Sequence, residues 1–176
     1  MIQIIAIRVV DRIKEAGHTQ EVLSRYSKLI RARLGFHELN DDICSREGFI
    51  VLVVDKDNKD YKGLRGDLDK IYGIELKKVT TSSDTEVDSV IPDGDGVVTI
   101  VSLIVENRDR VVSEVQDSLS RYGCSIRTRL GLNEKINGTN MGVIILELTG
   151  NPIEQRGLIN RLSGIEEVTL AAVAFS

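Results

Sequence analysis

Tryptophan is absent from the 176 residues, aromatic residues make up only 4% of them, and there are two cysteines and two histidines. Each shortage excludes something. With few rings to bury, the core is left to Ile, Val and Leu, and the β-branched members of that set favour strands. Cys44 and Cys124 have no CxxC spacing, so they read as free thiols of a reduced, cytoplasmic protein and not as a disulfide framework. No apolar run approaches the roughly 20 residues that a membrane-spanning helix needs. The opening "MIQIIAIRVV" is apolar but short, without a basic start or a small-residue cleavage site, and reads as a strand. A strong charge of one sign is missing as well. Net charge is −4; residues 1–80 carry 15 Lys+Arg against 13 Asp+Glu, residues 81–96 five acids and no base, and residues 97–176 eight against nine. Neither half is a basic body that would drive binding to a phosphate backbone, so no nucleic-acid or membrane partner is expected. Catalytic signatures are lacking too: there is no G-x-S-x-G, no P-loop and no G-x-G-x-x-G after a strand. A non-enzymatic protein without a cofactor is expected.

What is present is a repeat. "LSRYSKLIRARLG" (23–35) and "LSRYGCSIRTRLG" (119–131) agree at nine of thirteen positions. At the same offset of 96, "IIAIRVVDR" (4–12) faces "IVSLIVENR" (100–108). Beyond Gly35 and Gly131 the offset falls to 94: "GFIVLVVD" (48–55) faces "GVIILELT" (142–149), and residues 61–79 face 155–173. A unit of about 80 residues is too long for a solenoid repeat and suits a small domain.

Both copies read as the same series of elements. An apolar strand (2–9; 98–105) precedes a helix, opened in the second copy by Asn107 and striped by Val111 or Val112, Val115, Leu119 and Tyr122, with Gly123 as its stop. The first copy keeps Thr19, Val22, Leu23 and Tyr26. An alternating strand follows, in which Ile30, Ala32 and Leu34 point one way and Arg31 and Arg33 the other; Arg127 and Arg129 repeat the pair. A polar loop leads to a dense apolar strand (49–54; 143–148). Asn151-Pro152 then marks a second helix in the later copy, and a last strand spans 74–80 or 168–175. The order β-α-β-β-α-β, twice, predicts an α+β protein of two tandem ferredoxin-like domains. Each would hold a four-stranded antiparallel sheet with strands one and three central, strand two at an edge, and both helices on one face. The expected domains are 1–80 and 97–176, joined by a polar, acidic linker over 81–96. Central strands apolar at both parities predict sheets covered on both faces, through homo-oligomerisation or sheet-on-sheet packing. Gly63 and Gly157, at one slot of the second helix, predict close approach of that helix to the sheet.

The "IVENR" strand end, "YG" after helix one, "RLG" closing strand two and the "LSGI" approach to the last strand resemble the family of iron-only hydrogenase system regulators. That family is grouped with the ferredoxin-like C-terminal domain of nickel-responsive regulators and is close in shape to ACT domains. The resemblance covers most of 97–176 and, more weakly, 2–80, and implies a tandem ACT-like fold with a regulatory role. The several His and one Cys that hold nickel in the related regulators are not matched here, and no ribbon-helix-helix DNA-binding segment is expected.

Three groups of polar residues are candidates. Arg31, Arg33, Arg127 and Arg129 form a polar constellation that recurs in both copies; they either guard an edge strand or clamp an anion or carboxylate. ACT domains bind amino acids near a glycine between strand one and helix one, and the resemblance places Gly17 and His18, after Asp11, at that point. The loop 35–48 gathers His37, Glu38, Asp41, Asp42 and Cys44, a set able to hold a transition metal though matching no metal motif, and Asn133 stands opposite His37 in the second copy. The expected function is regulation or sensing of a small molecule or anion. The alternatives are a metal-responsive module using that loop, and a purely structural interaction domain.

Overall fold

The computed structural model describes residues 2–37, 45–79, 91–94, 96–136 and 138–176. The chain divides into two compact units, Met1–Lys78 and Val79–Ser176. In the first, the elements are β1 (Ile2–Val9), α1 (Arg12–Arg25), β2 (Ile30–Phe36), β3 (Gly48–Asp55), α2 (Tyr61–Leu68) and β4 (Ile74–Val79). In the second they are β5 (Val98–Val105), α3 (Arg108–Arg121), β6 (Ile126–Ile136), β7 (Thr139–Leu148), α4 (Pro152–Ser163) and β8 (Val168–Phe175). The sheets have the orders β2-β3-β1-β4 and β6-β7-β5-β8, the expected ferredoxin-like arrangement made twice.

Local chemistry explains the helix starts. Asp11 accepts from the Ile13 and Lys14 backbone N–H groups, and Asn151 accepts from Ile153 N–H at 2.8 Å with Pro152 in the first helical position. Asn107 occupies the N-cap of α3, but its side chain makes no capping bond. Gly123 stands just past the helix, as expected: α3 ends at Arg121 with Tyr122 as the C-cap, and Gly123 then opens a 3₁₀ turn that Ser27 begins in the first copy.

Each unit buries the parity that faces its helices. Ile5, Ile7, Leu52 and Val54 pack against Val22, Leu23, Leu64 and Leu68 in the first unit, and Val101, Leu103, Leu146 and Leu148 against Val115, Leu119, Leu158 and Leu162 in the second. Val111, not Val112, completes the α3 stripe; Val112 is exposed. Every such Leu, Ile or Val contributes about 1.5–3 kcal/mol by leaving water. Ile4, Ala6, Val51 and Val53, of the opposite parity, are buried as well.

Three features differ from expectation. The second-copy loop is largely strand: β6 runs on to Ile136, which pairs with Thr139 around Gly138 at φ +87°. The 81–96 segment lies mostly outside the described residues, and of its described part Ile91 belongs to the second unit's core. Ile91 is buried there, and Arg156 binds the Ile91 carbonyl at 3.1 Å and Asp93 at 2.9 Å. Gly63 and Gly157 do make room for a neighbour, but the neighbour is not the sheet. A Cβ at Gly63 would lie 2.8 Å from Tyr26 Oη, and one at Gly157 3.1 Å from Tyr122 Oη. The tyrosine ending helix one and the glycine inside helix two are one packing unit, present twice.

Candidate functional site

Strand two does not alternate as its sequence suggests. Ile30 stands opposite Val54 and Ala32 opposite Val53, so two steps on β2 match one on β3. Ile126 and Thr128 repeat this bulge against Leu148 and Glu147. A bulge inserts one residue and reverses the faces beyond it. Ile30 therefore packs into the helix-side core with Val54, while Ala32 and Leu34 take the other face. The arginines are divided as well, correcting the reading that each pair shares one side. Arg31 and Arg127 are the inserted residues, and they meet Asp55 at 3.3 Å and Glu147 at 3.7 Å. Arg33 and Arg129 stand opposite Leu52 and Leu146, on the helix side, where they donate to Gln20 Oε1 (2.5 Å) and Gln116 Oε1 (2.9 Å) of helix one.

Arg33 and Arg129 thereby enter a groove between helix one and strands two and three, and this groove exists in each unit. Its volume is about 380 Å³ in the first unit and about 200 Å³ in the second. Every residue lining one groove has its repeat counterpart lining the other. Arg12/Arg108, Gln20/Gln116, Arg33/Arg129, Gly35/Gly131, Gly48/Gly142 and Ile50/Ile144 are identical. Ala16, Thr19, Phe36 and His37 of the first groove are replaced by Val112, Val115, Leu132 and Asn133 in the second. Helix one presents its share at i, i+4, i+7 and i+8, a single face.

The glycine beginning strand three shapes the wall. A Cβ at Gly142 would lie 3.2 Å from Arg108 Cδ, and one at Gly48 3.5 Å from Arg12 Cδ. With no side chain there, the arginine stem lies across the strand. Arg108 Nη1 then donates to Asn133 Oδ1 at 2.5 Å, and Arg12 Nε to the Ser45 carbonyl at 2.7 Å.

The charge balance separates these arginines from several others. Arg31 pairs with Asp55, Arg25 with Asp67, Arg46 with Asp11, Arg110 with Glu166 and Glu167, and Arg8 with Glu47. Asp11 is held below the ordinary carboxylate range, chiefly by its hydrogen bond from Arg46, and Asp55 chiefly by its bond from the Asp57 backbone N–H. The partners of Arg12, Arg33, Arg108 and Arg129 are neutral amide or carbonyl oxygens, and no described residue lining either groove is acidic. Each groove thus holds two guanidinium groups with no countercharge among the described residues, over an apolar floor, a setting that favours a carboxylate or another small anion.

Gly17 and His18 are not at a strand-helix junction. Because α1 begins at Arg12, both lie inside the helix and on its exposed side, with His18 Nδ1 3.4 Å from Glu15 Oε2. Nothing lies within 4 Å of a Cβ built at Gly17. Gly17→Ala is expected to stabilise the protein by about 0.5–1 kcal/mol, since alanine is the better helix former and the space is open; a lower melting temperature would refute this. Of the loop residues, His37 lines the first groove, whereas Glu38, Asp41, Asp42 and Cys44 fall outside the described residues. Among the described residues no group of three or more His, Cys, Asp or Glu could hold a metal ion, and no helix is long and apolar enough to cross a membrane. Arg12, Gln20, Gly48 and their counterparts escape a reading by motif. Identity between copies at polar or glycine positions, where packing asks for none, is the signal that marks them.

Residues 1–78 match the family described as "TM1266-like: Iron-only hydrogenase system regulator, putative". The match falls on the first copy, although the family-like motifs are denser in the second. Among solved structures, the uncharacterized protein TM1266 from Thermotoga maritima is 31% identical over 44% of this chain and 92% of its own, with a TM-score of 0.38. The acetolactate synthase small subunit from Thermotoga maritima is 14% identical over 99% and 96% of the two chains, with a TM-score of 0.35. Chlorite dismutase from Candidatus Nitrospira defluvii is 12% identical over 97% and 90%, with a TM-score of 0.39. No curated protein matches the sequence.

Proposed function

The chain belongs, through residues 1–78, to the TM1266-like family described as iron-only hydrogenase system regulators, and from that membership we propose that it is a non-enzymatic regulatory protein that senses a small anionic ligand in its two grooves. The observation that carries this reading is the groove itself, built twice from the same arginines, glutamine and glycines, with no acidic residue among the described lining. Surface arginines whose only role is solubility have no need to be held by a glutamine on a neighbouring helix, or to have strand side chains deleted beneath them. Within the groove the gain from a carboxylate is a pair of charge-assisted hydrogen bonds, each stronger than a bond between neutral groups. Sensing then requires only that the liganded and free forms differ in affinity for whatever the protein controls.

Screening of the full chain by thermal shift against small mono- and dicarboxylates and inorganic anions tests the proposal, because a ligand that binds only the native state raises its stability. Calorimetry with any compound found is expected to give two sites per chain. Arg33→Ala and Arg129→Ala should each remove one of them, while Arg31→Ala and Arg127→Ala leave the number unchanged. A screen in which no anion shifts the melting temperature, or binding that survives the Arg33→Ala/Arg129→Ala double substitution, would sink the idea.

A further inference from the structure

The two grooves share their arginines but differ at buried positions, and at one of these only the first groove carries a polar side chain. Thr19 is 2% exposed, lines the first groove, and its hydroxyl has no hydrogen-bond partner among the described residues. A hydroxyl inside a helix ordinarily bonds back to the carbonyl four residues earlier; Ser118 does so, donating to the Glu114 carbonyl at 2.8 Å. The Thr19 hydroxyl forgoes that bond. Its counterpart in the second groove is Val115, equally buried and of nearly the same shape without the hydroxyl. Packing therefore does not call for an oxygen at this point, and a buried oxygen without a partner is destabilising.

Resting on the reading of the grooves as anion sites, we infer that the first groove takes a short 2-hydroxycarboxylate and the second its unsubstituted aliphatic analogue, with Thr19 as the residue that discriminates. Arg33 reaches Gln20, the neighbour of Thr19. Thr19 and Arg33 line the same groove, so a short carboxylate held by Arg33 has the wall that carries Thr19 beside it. A hydroxyl there supplies the missing partner. An ammonium group in its place meets two guanidinium groups and no acidic residue among the described lining, so a 2-amino acid is disfavoured. In the second groove a ligand hydroxyl would itself be buried against Val115 without a partner.

The test uses the full chain and three matched probes: 2-hydroxybutyrate, butyrate and 2-aminobutyrate. In Arg129→Ala, which leaves only the first groove, calorimetry is expected to show 2-hydroxybutyrate binding about five- to ten-fold tighter than butyrate, with 2-aminobutyrate weakest. Adding Thr19→Val should abolish the first preference and leave butyrate binding intact. In Arg33→Ala, which leaves only the second groove, butyrate should bind at least as tightly as 2-hydroxybutyrate. Without ligand, Thr19→Val should raise the melting temperature, because it removes a buried oxygen that has no partner. Equal preference in the two grooves, a ratio unmoved by Thr19→Val, or a lower melting temperature of that variant would overturn the inference while leaving anion binding standing. Absence of binding by all three probes in both variants would overturn the inference together with the reading it rests on.

Discussion

Arg127→Ala is expected to destabilise the second unit by about 2–3 kcal/mol, whereas Arg31→Ala, at the same position of the repeat, should leave the first unit almost as stable as before. The difference lies in the partner left behind. Glu147 is 1% exposed, its carboxylate 3.7 Å from Arg127 Nη1 and accepting from Thr128 Oγ1 at 2.5 Å. Removing the cation takes a countercharge away from a buried carboxylate, which costs far more than the intact pair contributes. Arg31 instead meets Asp55, whose side chain is 32% exposed, and water takes over when the arginine is lost. Glu147→Gln in the Arg127→Ala background should recover most of the loss, since no charge then remains to be solvated. Glu147→Gln alone should cost less than Arg127→Ala, because Arg127 is itself 31% exposed and can turn to solvent. Denaturant melts of the four variants check this; equal losses for Arg127→Ala and Arg31→Ala would show that the buried carboxylate does not depend on its arginine.

Gly63→Val should be the second large effect, a loss of about 2 kcal/mol from overpacking, or a fall of roughly 10 °C in the melting temperature of a unit this size. Even a single methyl group at Gly63 would sit 2.8 Å from Tyr26 Oη and 3.2 Å from its Cε1. The ring has little freedom to retreat, because Tyr26 Oη donates to Asp67 Oδ2 at 2.9 Å and Asp67 also binds Arg25 and Lys70. That hydrogen bond is the main reason the Asp67 carboxyl lies below its ordinary range, and it raises Tyr26 in turn. Tyr26→Phe should relieve part of the clash in Gly63→Val while weakening the wild-type background. The two substitutions are therefore expected to be non-additive in a double-mutant cycle. Additivity would mean that the valine is accommodated elsewhere.

The order of elements was legible because local signals agree with the global pattern. Asn151-Pro152 pairs an N-cap with a proline at the first helical position, the Ile/Val/Leu runs at 2–9 and 98–105 are strands in both copies, and the repeat doubles every reading. The Tyr-Gly partnership could be suspected only in part. Two glycines at one helical slot announce a close neighbour, but tyrosines 37 and 35 positions earlier give no sign of being it. The site was half visible in the same way. Arg33 and Arg129 stood out through the repeated "RLG", whereas Arg12 and Arg108 read as ordinary residues at the start of a helix.

Sequence periodicity was enough to establish two βαββαβ units, because alternation along strands and apolar stripes along helices are local consequences of which faces are buried. The division of each arginine pair was settled in three dimensions. "IRARLG" and "IRTRLG" alternate without interruption on paper, and a bulge leaves no mark on that alternation, since it arises from how β2 and β6 register against β3 and β7. One inserted residue per strand sends Arg31 and Arg127 to carboxylates and turns Arg33 and Arg129 beneath helix one, where they bond the neutral Gln20 and Gln116.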